Sequence, residues 1–428
     1  MPKINIYEDD ATKATGTIPS DVVFIPGFTT EDVSKLSENP KLCTNLDDFR
    51  VFGELPVLFT IDTADDGSKV VDVDKSFIMA RELLAAGMPV IYYAIEYDTT
   101  NGTPAEQICS IFSDDEFVSS LEDKTEYTFK YITTGAYANY DQVNDAILAS
   151  ITDIAKTRGD AVALVQPKFN KDEPLTGTGS LYEYLQASNQ FSGKGEYATM
   201  FAPWGNYTLA RAYEIEVADD VFVKVSEAIL PGCFGYLLTL ANNIKTSPNY
   251  FAFAGINRGV VPNLKSLATS KKLTNRIADK YQPMTELDGK IAINAITDIK
   301  PYGLTIWGNR TLKPIAAEGL RASNFLNIRN MVSDIKKVAY RAAKELMFEQ
   351  NDETLWLNFK SEVMPLLEQL KTGRGISDYR FIKLNTTYNG AQLGKGEFAC
   401  AIKIYPIYPV ESFEITVVLS DADVSVGE

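Results

Sequence analysis

The clearest periodic stretch runs from residue 325 to 356. Ile328, Met331, Val332, Ile335, Val338, Ala339, Ala342 and Leu346 recur at steps of three and four, which lines them along one stripe of an amphipathic helix. Asn330, Asp334, Lys337, Arg341 and Lys344 fall on another face, and no Gly or Pro interrupts the run. It stops near 348–353, where Asn351 or Asp352 can cap a second helix carrying Leu355, Trp356, Phe359, Val363 and Leu367. Upstream, short apolar runs alternate with helical patterns. Residues 22–25, 57–61 and 89–94 read as strands, and 75–86 as a helix closed by Gly87. A polar, acidic stretch at 96–126 follows, and then the rhythm restarts. Residues 127–132 and 161–165 read as strands around a helix through Val143, Ile147, Ile151 and Ile154. Residues 197–202 and 212–221 read as strands and 230–244 as a buried helix. This alternation is the βαβ rhythm of a parallel sheet.

Past the helix pair, 379–384, 397–405 and 412–419 read as strands. Phe398, Cys400, Ile402 and Ile404 share one face, as do Phe413, Ile415, Val417 and Leu419. Pro406 and Pro409 lie between these two runs, which argues against a tight hairpin and frees the last strand to pair elsewhere. At the other end, Ile4 and Ile6 alternate with Lys3, Asn5 and Tyr7. A short strand with no hairpin partner nearby either pairs with something distant, such as another chain, or is a frayed terminus. The expected fold class is thus α/β and multi-domain. It has an arm at 1–20, an N-terminal αβ domain at 21–126, a βαβ-type middle domain at 127–289, an α+β C-terminal domain at 290–410 and a second arm at 411–428.

Composition narrows the function. The 428 residues suffice for two or three domains, and 45% hydrophobic with 11% aromatic residues is a globular composition. No apolar run reaches the roughly 18 residues of a membrane span, and the start lacks a signal peptide's apolar core, so folding in a cytoplasm is expected. The net charge of −16 argues against nucleic-acid backbones as the main partner. Histidine is absent, which removes Ser-His-Asp and Cys-His catalysis and HExxH metal sites together. Cys43, Cys109, Cys233 and Cys400 form no CxxC pair and read as free thiols.

Few motifs survive scrutiny. Gly390–Gly396 has a faint phosphate-loop look but the wrong spacing, and Gly396 stands where a Ser or Thr should hold Mg²⁺. Ser180, after Gly177-Thr178-Gly179, reads as a plain helix cap. The stretch from Asp62 to Gly67 resembles a calcium loop but places Ala64 and Val73 where oxygen ligands belong. Asp114-Asp115-Glu116 reads as a solvated acidic loop. No catalytic, cofactor or metal site is expected. The one basic cluster is Lys336, Lys337, Arg341 and Lys344. It is either a solvated face or an interface with an acidic partner.

Taken in order, the segments 291–299, 305–312, 325–356 and 398–419 resemble the C-terminal region of contractile phage tail sheath proteins. Trp307, Gly308, Arg310 and Thr311 match that family's Trp-Gly-x-Arg-Thr segment, and Asn327 and Arg329 its Asn-x-Arg helix start. Phe348, Glu349, Asn351, Asp352, Leu355 and Trp356 match its Phe-Glu-Pro-Asn-Asp-x-x-Leu-Trp segment, with Gln350 replacing the proline. Weaker matches at 47–53, 77–93, 160–167 and 200–207 follow in the right order. The resemblance implies a subtilisin-like middle domain in fold only, and a structural subunit rather than an enzyme. Such subunits form six-fold rings stacked helically around a tail tube, meet baseplate and tail terminator proteins, and contract to drive the tube through a target envelope. They are assembled in the host cytoplasm and sit in the virion tail. The arms would add strands to a neighbour, through Ile4, Ile6, Phe413, Ile415 and Val417, and Lys337, Arg341 and Lys344 would face the tube. The resemblance does not separate a phage from a bacteriocin or another injection system. An α/β hydrolase is the competing reading of another class, disfavoured by the missing histidine.

Overall fold

A computed structural model describes residues 21–64, 67–137, 145–167, 169, 180–187, 190–270, 273, 281–283, 289–384 and 397–412. Its centre is an eight-stranded sheet in the order β13-β12-β8-β7-β6-β1-β5-β2. The strands are β1 (Val23–Thr29), β2 (Lys41–Cys43), β5 (Val90–Glu96), β6 (Tyr131–Ile132), β7 (Val162–Val165), β8 (Ala198–Ala202), β12 (Asn294–Ile299) and β13 (Gly303–Trp307). Neighbours from β12 to β5 run parallel, and the two edge strands β13 and β2 run antiparallel. A parallel sheet covered on both faces needs continuous apolar strands, and β1 and β7 are buried at every position. Alternate residues then supply two cores. Val23, Ile25, Tyr92, Tyr131 and Leu164 meet the helices Lys75–Ala85 and Gly232–Asn243. Phe24, Ile91, Ile132, Ala163 and Val165 meet Pro104–Ile111, Asp115–Glu122 and Asp145–Arg158.

This sheet redraws the expected boundaries. Strand β1 pairs with β5 on one side and β6 on the other, so nothing divides the chain at 126/127. Strand β12 pairs with β8, with Asn294 opposite Phe201, so 290–307 belongs to the sheet and not to the C-terminal unit. Parallel pairing joins segments far apart in sequence, and a polar crossover such as 96–126 looks like a linker when it is only a connection. Two hairpins flank the sheet: β3 (Leu58–Thr63) with β4 (Lys69–Val73), and the longer β9 (Gly205–Ala218) with β10 (Val221–Leu230). Asp220, at φ 58°, turns the second where the sequence had suggested an unbroken strand over 212–221.

The C-terminal unit is built on the helix Leu326–Glu345, the helix Glu353–Thr372 and a two-stranded antiparallel sheet of β14 (Ile376–Lys383) and β15 (Cys400–Pro406). Ile328, Met331, Ile335, Val338 and Ala342 bury against Phe359, Val363, Leu366, Leu367 and Leu370. Phe381, Phe398, Cys400, Ile402 and Ile404 cover that core from the sheet. Asp352 caps the second helix by accepting from the Leu355 amide at 3.0 Å. Asn351 donates to the Glu397 carbonyl at 2.9 Å.

Candidate assembly interface

The first half of the polar face of the Leu326–Glu345 helix does not meet water. Asn330, Asp334 and Lys337 are 1%, 2% and 8% exposed. They dock on the large sheet through a buried charge seam. Lys130 Nζ donates to both Asp334 oxygens at 2.8 and 3.0 Å and lies 2.8 Å from Asp21 Oδ1. Asn249 Nδ2 donates to Asp334 at 2.9 Å and to Asp21 at 3.3 Å. Burial pulls the Lys130 ammonium down, but the carboxylates of Asp21 and Asp334 more than offset this and hold it above its ordinary value. Burial pushes the Asp334 carboxyl up, and Lys130 opposes that push. Beside this triad, Asn330 donates to the Tyr236 hydroxyl at 3.0 Å, and Arg329 to the Gly159 carbonyl at 2.6 Å. The Arg329 guanidinium also lies 4.0 Å over the Tyr197 ring.

Lys337 therefore cannot face a tube. Its Nζ donates to the Phe129 carbonyl at 2.8 Å, and burial first, then the Lys130 charge, pushes it down to about 8. Residues 330, 334 and 337 share one stripe, and periodicity separates that stripe from the apolar one without saying what it meets. The basic cluster is split as a result: Lys337 is internal, while Arg341 and Lys344 are exposed further along.

A second buried cation holds the other end of the described chain. Arg310, 1% exposed, donates through Nε to both Glu411 oxygens at 2.9 and 3.0 Å and pairs through Nη2 as well. Its guanidinium lies 4.9 Å over Phe325, whose ring meets Tyr408 edge-on at 5.4 Å. Asn294 fixes the Arg310 backbone, accepting from its amide at 2.7 Å and donating to its carbonyl at 2.9 Å. At Gly308 a Cβ would run into the Gln282 amide and Asn294, so any side chain there must push them aside. Trp307, at the end of β13, is 37% exposed. Thr311 Oγ1 donates to the Ser323 carbonyl at 2.8 Å. Trp356 meets Phe381 and Phe398 with ring centres 6.2 and 6.0 Å apart.

Asp21 and Glu411 thus stand beside the two segments expected to be arms. Ile4, Ile6, Phe413, Ile415 and Val417 themselves lie outside the described residues, as does the glycine-rich turn at 390–396. Asp114-Asp115-Glu116 is solvated but not a loop: Asp114 caps the helix Asp115–Glu122 by accepting from the Glu116 amide at 3.0 Å. Ser180 is the helix cap expected, accepting from the Glu183 amide at 3.2 Å. Cys43, Cys109 and Cys233 are buried thiols and Cys400 a half-buried one, none of them in a disulfide. Sequence reasoning missed Asp21, Lys130, Asn249 and Glu411. A lysine inside the apolar run Phe129-Lys130-Tyr131-Ile132 was the available signal, since a buried lysine demands carboxylates.

The fold and these motifs are similar to those of sheath proteins. Residues 322–420 match the family model of the phage tail sheath C-terminal domain. The tail sheath protein of Vibrio phage KVP40 is 25% identical over 230 residues, 50% of this chain and 32% of that protein. That of Enterobacteria phage T4 is 26% identical over 167 residues, 39% of this chain and 23% of that protein. The matched stretches therefore span a third or less of those relatives. Among solved structures, the sheath of the PVC extracellular contractile injection system in its contracted state superposes with a TM-score of 0.60 at 15% identity, covering 99% of this chain and 98% of that one. A chain of the anti-feeding prophage baseplate in its contracted state gives 0.64 at 14% identity, covering 99% of both. Residues 322–420 are thus similar to the tail sheath C-terminal domain, and the 348–356 motif lies inside that match.

Proposed function

We propose that this chain is a structural subunit of a contractile sheath that polymerises as six-fold helical rings around a tube and contracts to drive the tube through an envelope. The observation that carries the reading is the sheet of β14 and β15. Among the described residues it has two strands only, and neither outer edge over the helix pair is paired with another described strand. Two strands alone are marginal, and an open edge is a template for a strand from another chain. The segments holding Ile4 and Ile6, and Phe413, Ile415 and Val417, are the strands proposed to complete it in neighbouring copies. The buried pairs at Asp21 and Glu411 then anchor each arm where it leaves the body. Partners on this reading are further copies, a tube protein, and baseplate and terminator proteins, with Arg341 and Lys344 facing the tube. The large sheet is taken as the subtilisin-like body of the resemblance, a likeness of fold that carries no catalysis. Assembly in a host cytoplasm and residence in a virion tail belong to the same proposal.

A second reading is the sheath of a phage-like bacteriocin or extracellular injection system. It is supported by the fold shared with the injection-system chains, which superpose over 99% of this chain. The test of the arms is direct. Ile4→Asp and Ile415→Asp should leave a folded protein by circular dichroism that no longer sediments as polymer. Intact polymer from both variants would sink the arm proposal.

A further inference from the structure

The turn between the two C-terminal helices carries an apolar knob. Phe348 sits at φ 71°, a region bulky residues avoid, and its side chain is 97% exposed. Met347 beside it is 61% exposed and Leu357, in the next helix, 55%. A left-handed residue after a helix is ordinarily Gly or Asn, so a phenylalanine here is disfavoured by the backbone and by water alike. At the far end of the same helix lies an apolar cleft of about 250 Å³ between Ile328 and Val332 on one side and Ile404 and Pro406 on the other. Its volume suits one aromatic side chain.

Knob and cleft cannot meet within one chain. Sixteen to twenty helical positions separate them, roughly 24–30 Å along a rigid helix. They can meet between copies, and because the two surfaces differ, the contact is head-to-tail and builds a ring or an open helix. Glu349 directly follows Phe348, and the exposed Arg321, which pairs with Glu318 of its own chain, precedes the cleft residue Ala322 and is the rim cation of opposite sign.

We propose that Phe348 of one copy seats in the Ile328/Val332/Ile404/Pro406 cleft of the next, as a contact separate from the arms. It rests on the sheath reading and adds a residue-level lattice contact to it. Phe348→Ala should raise the protein concentration needed for polymer about 10- to 100-fold, with the folded monomer unchanged. In a Cys400→Ala background, an equimolar mixture of Phe348→Cys and Val332→Cys should give a disulfide-linked dimer, and neither variant alone should. A photo-crosslinker on Val332→Cys should attach to residues 347–349 of another copy. Attachment to 1–20 or 413–428 would show that an arm fills the cleft and overturn the proposal. Unchanged assembly of Phe348→Ala would overturn it while leaving the sheath reading intact. Absence of polymer from the unaltered protein would instead overturn that reading, and this contact with it.

Discussion

Replacing Lys130 by Met is the sharpest probe of how the C-terminal unit is held. Lys130 is fully buried, and its ammonium sits 2.8 Å from Asp21 and 2.8 Å from Asp334. At an effective dielectric near 20, each attraction is about 6 kcal/mol, and desolvation of three charges consumes most of the sum. Removing the cation alone leaves two buried carboxylates facing each other, for which about 3–5 kcal/mol of destabilisation is expected. Adding Asp21→Asn and Asp334→Asn removes both charges and should restore at least half of the loss, since Asn249 still offers them a donor. The pH dependence has a definite sign. The Asp334 carboxyl is already held above its ordinary value by burial, and losing Lys130 raises it further. A raised carboxyl favours the fold below its unfolded value, about 3.9, and costs stability as pH climbs through the folded one. The deficit of the single variant should therefore widen from pH 4.5 to 7. Urea unfolding followed by the fluorescence of Trp204, Trp307 and Trp356 reads all of this. A Lys130→Met variant within 1 kcal/mol of the parent, with a pH-independent gap, would refute the seam.

Three further outcomes follow from named contacts. Lys337→Met should stabilise the protein at pH 7 by about 2 kcal/mol. A lysine brought from 10.5 to about 8 costs roughly 3, less about 1 for the lost bond to Phe129. The unfolded chain holds the extra proton between those two values, so the advantage should shrink as pH rises from 8 to 10, in thermal melts across that range. Gly308→Ala should cost about 1–3 kcal/mol by forcing the Gln282 amide and Asn294 aside, and an unchanged melting temperature would contradict that geometry. Reversing Arg341 and Lys344 to Glu should weaken co-sedimentation with the cognate tube at low salt without altering stability. Unchanged tube binding would remove both residues from the tube face.

Much of the architecture was legible because it rests on local rules. The stripe from Ile328 to Ala342, the cap at Asp352 and the apolar runs of β1, β5 and β7 all follow from periodicity and end signals. What escaped depends on distant partners. Strand β10 is exposed at most of its positions, so its alternation is weak, and only pairing with β9 makes it a strand. The face carrying Asn330, Asp334 and Lys337 looked like any solvated face because its partners, Lys130, Phe129 and Tyr236, lie 94–208 residues away. For the same reason Arg310 was legible as a motif residue but its role was not: Glu411 lies 101 residues on.

The central claim is that this chain builds a sheath, and electron microscopy of the purified protein, expressed without any other component, tests it most directly. Long hollow tubes with six-fold helical symmetry and a bore wide enough for an inner tube are expected. A monodisperse monomer at every concentration and salt tried, with the same folded spectrum, would contradict it.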